Sequence, residues 1–562
     1  MSAEPIERVA AYHLETGHHP GRYARGPGYL DWSTQPDPFR RFHGAACLPL
    51  PIPRDDPGPA YDALFEPGGI APEPLSLPSI SRFLYGSLAV SAWKQAGGQR
   101  WALRCNPSSG NLHPTEGYLL LPPLEGLSES AGVYHYAPRE HALEQRATLD
   151  PEVFGSLMLG LPDGSFLVGL SSIHWREAWK YGERAFRYCQ HDVGHALAGL
   201  RLAAAMLGWR LAVAGEPGDA DVARLLGLDR WEDFRGAEPE HPDLLAVASP
   251  GGGGARPAFR VDPDVIEAVA RSRWHGRANA LSPGHVRWTA IEAVTRAAVK
   301  PRGAMGGSDA AGSGDSSSGP PAAPEAAGID GRAGHSGPSA MTLFRRRRSG
   351  VAYDDRTPMQ RESFFRMLSR LVPAGAPAPP WDAIHWPPQV HLLLFVHRVE
   401  GLGPGLYLLA REPAGATALR SAMRRAFQWV RPPGCPETLD LACLETGDCR
   451  RLAANLSLGQ DIAGMGAFSA GMLVRFAPAL VEHGPWFYRA LFWEAGMVGQ
   501  MLYLEAERAG LRGTGIGAYF DGLVHDLVGL EGLDFQSFYH FAVGGAVDDP
   551  RLTTLAAYPA PG

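Results

Sequence analysis

Four short stretches gather residue types able to do chemistry. The first is RCNPSSGNLHP, Arg104 to Pro114, where hydroxyl and amide side chains crowd a segment with the Pro, Ser, Gly and Asn content of a loop. The second is FRRRRSGVAYDD, Phe344 to Asp355, with four consecutive arginines ahead of Ser349. Such a run is either a solvated basic face or, beside a serine at a domain start, a phosphate site made of charge-assisted hydrogen bonds. The third is GTGIG, Gly513 to Gly517. It follows a helical pattern and lacks the G-x-G-x-x-G spacing, so a dinucleotide fingerprint is excluded. A helix cap with a flexible loop, or a backbone that approaches a ligand closely, remains. The fourth is AWKYGERAFRYCQHDVGH, Ala178 to His195. By residue type alone, Lys180 and Tyr181 are a surface lysine beside a buried tyrosine. His191 and His195 stand one helical turn apart, as metal ligands can, but no third ligand has a recognisable spacing. They read as core or interface histidines, with no metal.

These stretches must be positioned by larger elements. Gly306 to Ala340 is almost wholly Gly, Ser, Ala, Pro and charged residues. It cannot bury enough apolar surface to offset chain entropy, so residues 301–340 are expected to be a disordered linker. The halves on either side repeat one pattern. FRYCQHDVGHALAGLRLAAAMLGW, Phe186 to Trp209, aligns without a gap to YRALFWEAGMVGQMLYLEAERAGL, Tyr488 to Leu511, at a separation of 302 residues. Arg187 meets Arg489, Asp192 meets Glu494, Gly194 meets Gly496 and Gly208 meets Gly510; further on, Gly227-Leu228 meets Gly529-Leu530. Each copy has apolar residues at helical spacing and ends at a glycine. Each then runs through a loop and a short helix to a strand-like segment, DLLAVAS or YHFAVGG. The expectation is an α+β fold in two tandem copies, at 77–300 and 341–562. Residues 1–76 are expected to be an extended Pro-rich lead-in.

PSSGNLHP resembles the flavin-contacting loop of the nitroreductase superfamily, in which Pro-Ser-Ser-x-Asn edges the flavin ring. RRS at Arg347, Arg348 and Ser349 resembles that superfamily's Arg-Arg-Ser motif for the FMN phosphate and ribityl chain. The Gly513–Gly517 stretch resembles its Gly-rich loop. Arg551, in AVGGAVDDPRL, falls where the family often has a basic phosphate contact. AWKYGERAFRYCQHDVGH resembles the Lys-Tyr signature and Asp-x-Gly-His helix of the SagB-type azoline dehydrogenases, which oxidise thiazolines or oxazolines in modified peptides. The resemblance implies FMN as cofactor, held by Arg104, Pro107, Ser108, Ser109, Asn111, Arg347, Arg348, Ser349, Gly513, Gly515, Gly517 and Arg551. It implies catalytic roles for Lys180 and Tyr181. Two departures stand out: Phe186 replaces a tyrosine, and Val351 stands where an arginine is frequent. The motifs are divided between the copies. The second half lacks the Pro-Ser-Ser loop, and the first lacks Arg-Arg-Ser and reads AVAGEPGD where the glycines would be. The expectation is an intramolecular pseudo-dimer with one composite flavin site and one dead site.

Three activities follow from this: azoline dehydrogenation, NAD(P)H-driven reduction of nitroaromatics or quinones, and partner binding by a pseudoenzyme. The net charge of -7 gives no reason to expect nucleic acid. No run of eighteen apolar residues suggests a membrane span, and the first residues lack a secretory signal pattern. Six cysteines without a C-x-x-C pair suggest neither a zinc ribbon nor a disulfide framework. A soluble, cytoplasmic protein acting on a small molecule or peptide is the expectation.

Overall fold

A computed structural model describes residues 3–54, 58–251, 259–304, 337–373 and 378–558. Most of the expected linker, residues 305–336, lies outside the described residues.

The strands read as short apolar runs, and two antiparallel sheets account for most of them. In the first sheet, the run Ala142–Leu149, Ala131–Ala137, Thr115–Leu121, Phe166–Ser172, His241–Ser249, Arg210–Val213 forms neighbours in that order. In the second, Asp440–Thr446, Gly405–Ala410, Val390–Val396, Phe468–Arg475, Phe535–Gly544 and Arg512–Ile516 follow the same order. Side-chain alternation divides each strand between two cores. Leu119 and Leu121 point to a central core while Tyr118 and Leu120 pack outward, against Val222, Leu225 and Ile266. Likewise Leu392 and Leu394 face the centre, while Leu393 and Phe395 pack on Leu419, Val524 and Val528. With both faces covered, inner strands such as Phe166–Ser172 and Val390–Val396 carry consecutive apolar residues instead of alternating with polar ones.

The central core is built on two helices of equal length, Ala185–Met206 and Phe487–Arg508. Every residue of the first is buried, and all but the last of the second. Both helices are therefore surrounded on all sides, and they carry buried polar side chains such as Arg187 and Arg489 as well as apolar ones. They cross where glycine removes the side chain. A Cβ on Gly194 would sit 2.1 Å from the Trp493 carbonyl oxygen, and one on Gly496 would sit 2.2 Å from that of His191. The contacts are reciprocal at the 302-residue separation. So are two buried ion pairs: Arg187 reaches Asp521 at 2.8 Å and Arg489 reaches Asp219 at 2.7 Å.

The first residues depart from the extended expectation. Ala3–Glu15 is a helix. Ile6, Val9, Ala10 and His13 recur at helical spacing, and the helix packs Tyr12 against the rings of Phe186 and Tyr488. The Pro-rich remainder still supplies structure, since Ala46–Pro49 adds to the edge of the first sheet. At the other end, Thr553–Leu555 pairs with Val90–Ala96 of the first half. Tyr558 donates its hydroxyl to the Pro138 carbonyl at 2.7 Å.

Candidate functional site

A cleft of about 1050 Å³ opens between the halves. One wall is the loop after strand Gln99–Arg104, and the facing wall is the basic run with the end of strand Arg512–Ile516. Asp192, His195, Tyr188, Tyr503 and Tyr539 form its floor and sides.

The loop is held by its own side chains. Asn111, at φ 61°, adopts the left-handed conformation that asparagine tolerates. Its amide donates to the Ala102 carbonyl at 2.9 Å, and its oxygen meets His113 Nε2 at 3.0 Å. The His113 amide donates to Ser108 Oγ at 2.8 Å. Gly110 has φ 59°, and a Cβ there would sit 2.7 Å from the Tyr181 hydroxyl and 3.1 Å from Lys180 Nζ. The Lys-Tyr pair and the Pro107–Asn111 loop, some seventy residues apart in sequence, therefore meet. Tyr181 lines the cleft, with its ring 4.5 Å from that of Tyr188. Burial, then the nearby Glu177 carboxyl, pushes the Tyr181 hydroxyl well above the ordinary tyrosine range.

The basic run divides its labour. Arg345 lies 3.5 Å over the Tyr85 ring and donates to the carbonyls of Tyr85 and Val90. Arg347, expected to face a phosphate, is buried and acts as a strut between the halves. Its Nε donates to the Cys105 carbonyl at 3.0 Å and its Nη2 to the Arg104 carbonyl at 2.6 Å. Arg348 donates to Ser91 Oγ at 3.0 Å and to two carbonyls of its own run, and burial lowers its guanidinium to about 10. Arg346 is exposed on the cleft wall. Ser349 bonds through its hydroxyl to that of Tyr503 at 2.9 Å, and Tyr503 accepts from the Gly515 amide at 2.9 Å.

The remaining expected residues scatter more. Arg104 is buried at the cleft, with its guanidinium donating to the Pro38 and Thr115 carbonyls. Gly513 and Gly515 lie in a strand paired with Phe535–Gly544, opposite Val543 and Phe541, and not in the expected Gly-rich loop. Gly515 and Gly517 line the cleft, whereas Gly513 does not. Arg551 is outside the lining and pairs with Asp549 at 2.7 Å. His195 reaches the Tyr539 hydroxyl at 3.1 Å, and burial with Arg347 nearby lowers its imidazole to about 3.

Five buried side-chain atoms of residues lining the cleft have no hydrogen-bond partner among the described residues: Arg104 Nε, Asn106 Oδ1, His113 Nδ1, Asp192 Oδ2 and His195 Nδ1. A planar ring with polar edges would bring donors and acceptors beside this group of side chains, and Arg346, Arg348 and Lys94 supply cationic charge for an anionic tail. The residues present thus fit an FMN.

Sequence reasoning named neither Asn106 nor Glu177 as a site residue, and it used Asp192 only to mark a helix. Glu177 stands three residues before Lys180, a spacing that puts both on one helix face. That was the one signal available. Burial raises the Asp192 carboxyl to about 7, above the ordinary carboxylate range. Stability contributed by such a group is full below the unfolded value near 4 and is lost as pH rises through about 7. Asp192→Asn is therefore expected to raise the unfolding free energy at pH 8, by on the order of 1–3 kcal/mol, and to leave it unchanged near pH 4. Urea melts at the two pH values measure this; an advantage only at low pH would contradict it.

Comparison with known proteins adds three findings. The nitroreductase family model matches residues 95–237, which include the Pro107–Asn111 loop, Lys180, Tyr181 and Asp192. A protein of Methanocaldococcus jannaschii assigned as a nitroreductase is 27% identical over 164 residues, covering 28% of this chain and 77% of that protein. A crystal structure from Anabaena variabilis, also assigned as a nitroreductase, aligns with a TM-score of 0.64 at 20% identity. It covers 96% of this chain and 99% of the other, so the fold is shared along nearly the full length of both.

Proposed function

We propose that this enzyme, an oxidoreductase with the nitroreductase fold, uses one FMN bound between its halves to dehydrogenate an azoline ring in a modified peptide or a related small molecule. The observation that carries the reading is the meeting of Lys180 and Tyr181 with the Pro107–Asn111 loop, on a cleft whose other wall is residues 345–351 and 514–517. Arg346 and Arg348 would neutralise the phosphate, with Ser349 at the ribityl chain. Ser109, Asn106 and His195 would meet the ring's polar edges. Bound FMN supplies hydride chemistry. The chain's own residues orient the substrate, exclude water and move a proton: Lys180, in its neutral form, would take it, and the Tyr181 hydroxyl, which like Lys180 Nζ lies beside Gly110, would relay it.

A fused pair of nitroreductase-like copies, residues 77–300 and 341–562, is part of the proposal. It is supported by the shared strand order, the reciprocal glycine crossing and the reciprocal arginine–aspartate pairs. The position related to Gly515–Tyr519 by 302 residues is already filled. There Lys300 Nζ donates to the Ala214 and Pro217 carbonyls, and His385 meets the Val213 carbonyl. One FMN per chain is therefore expected from a fluorescence-quenching titration with absorbance stoichiometry. Two would refute the single-site reading, and none would refute the flavin reading. With FMN bound, Lys180→Ala is expected to lower azoline oxidation by about a hundredfold while the flavin spectrum is kept. Full activity in that variant would remove Lys180 from the chemistry. A second reading, NAD(P)H-driven reduction of nitroaromatics or quinones, is favoured by the assignments of the Methanocaldococcus and Anabaena proteins. NADPH oxidation with a nitroaromatic, undiminished in Lys180→Ala, would select it.

A further inference from the structure

The deepest polar feature of the cleft is a pair of carboxyl groups that the chemistry above does not employ. Glu177 lies on helix His174–Tyr181, one turn before Lys180, and is 0% exposed; Asp192 lies on Ala185–Met206, lines the cleft and is 1% exposed. Each is tied by one oxygen to the same loop. Ser108 Oγ lies 3.4 Å from Glu177 Oε1; the Ser109 amide and hydroxyl lie 3.2 and 3.5 Å from Asp192 Oδ1. The second oxygen of each, Oε2 and Oδ2, is buried without a hydrogen-bond partner among the described residues.

No lysine or arginine lies within ion-pair distance of either group among the described residues. The groups facing Asp192 are Arg104 at the end of its strand, Cys189 on the same helix, Tyr181 on helix His174–Tyr181, Tyr539 on strand Phe535–Gly544, the Ser108 and Ser109 hydroxyls, and Glu177. Glu177 in turn faces Lys180 and Tyr181 on its own helix. Charge on an unpaired buried carboxyl is costly, and two such groups close together do not both ionise. Burial followed by the Asp192 charge drives the Glu177 carboxyl well above its usual range.

Resting on the reading of this cleft as a flavin site, we infer that Glu177 and Asp192 share one proton behind the Pro107–Asn111 loop, and that Asp192 is the catalytic residue through which this pair exchanges protons with the cleft. The step is a proton transfer alone. A bond to hydrogen in the bound molecule breaks, its electron pair stays with that molecule, and an O–H bond forms on the pair, which passes from one negative charge to none. In the reductive direction the neutral pair returns the proton. Tyr181, beside Glu177 and over Gly110, gives the pair a path to Lys180.

The direct test is infrared spectroscopy of the full chain without added cofactor. Burial also raises the Asp243 and Glu505 carboxyls, so the signal is a carboxylic-acid carbonyl band at neutral pH that is lost on raising the pH and is missing from the Glu177→Gln/Asp192→Asn double variant in the difference spectrum. No such band in the wild type, or a band undiminished in the double variant, would overturn the inference. The first of these outcomes needs no variant, so a variant that fails to fold does not shield the claim. The second test is stopped-flow reoxidation of photoreduced, FMN-loaded protein by benzoquinone. Asp192→Asn is expected to slow it about a hundredfold at neutral pH and to flatten its pH dependence around the Asp192 titration. An unchanged rate and profile would remove Asp192 from catalysis. Absence of FMN binding by the wild type would sink the flavin reading itself, an outcome distinct from either of these.

Discussion

Gly194→Ala is expected to destabilise the protein by more than about 4 kcal/mol, enough to leave little folded chain at 37 °C. The added Cβ would stand 2.1 Å from a backbone oxygen of the opposing helix and 2.8 Å from the Trp493 Cα. These are backbone atoms in the middle of a 22-residue helix, so no rotamer change relieves the clash. The two helices would have to separate, and the buried residues along both would lose contact together. Gly496→Ala should do the same, since its Cβ would stand 2.2 Å from the His191 oxygen. Gly199→Ala is the control on the same helix. Its nearest neighbour is the Ser87 oxygen at 3.9 Å, and alanine favours a helix over glycine by up to about 1 kcal/mol. Urea denaturation followed by circular dichroism measures all three. Equal midpoints for the Gly194 and Gly199 variants would refute the crossing argument.

Arg347→Ala is the second large effect, and it separates a strut from a phosphate ligand. The guanidinium is buried, and its two bonds satisfy the carbonyls of Arg104 and Cys105, immediately before the Pro107–Asn111 loop. Truncation leaves two buried acceptors unpaired, at about 1–3 kcal/mol each, and frees the loop from the second half. The expected result is an unfolding free energy from urea melts lowered by about 2–5 kcal/mol even without cofactor, and an FMN affinity down at least about tenfold. Arg346→Ala should behave in the opposite way: Arg346 is exposed on the cleft wall, so its loss should weaken FMN and leave stability within about 0.5 kcal/mol. Titrations of both variants with FMN and with riboflavin, which lacks the phosphate, complete the test. If Arg347→Ala weakened FMN but not riboflavin and left stability intact, Arg347 would be a phosphate ligand after all.

Much of the frame was legible in the residues. Apolar runs bounded by turn residues became strands. At the 302-residue separation stand two helices of equal length and reciprocal contacts at Gly194 and Gly496, and the two sheets share one strand order. Such features are local or periodic, so composition and spacing carry them. The helix at Ala3–Glu15 was missed because the Pro-rich residues after it dominated the reading, although its own apolar spacing is helical. The Gly513–Gly517 stretch read as a loop from its resemblance to a Gly-rich loop in which glycine lets the backbone approach a ligand closely. Pairing with a neighbouring strand overrode that signal, as only a tertiary partner can.

The candidate site divides in the same way. Residue types and spacing determined that one half carries a Pro-Ser-Ser-x-Asn loop with Lys180-Tyr181 and that the other carries an arginine run with a glycine-rich stretch. Only the tertiary structure decided that these four lie around one cleft, because the crossing of the two long helices sets how the halves face each other. It also decided which arginine is free. Arg345, Arg346, Arg347 and Arg348 are chemically identical in sequence, and burial against particular carbonyls alone distinguishes strut from ligand. Glu177 and Asp192 are ordinary acids by type. Their chemistry arises from removal of water and counter-ions at the junction of a loop and two helices, a property of the folded chain and of no single residue.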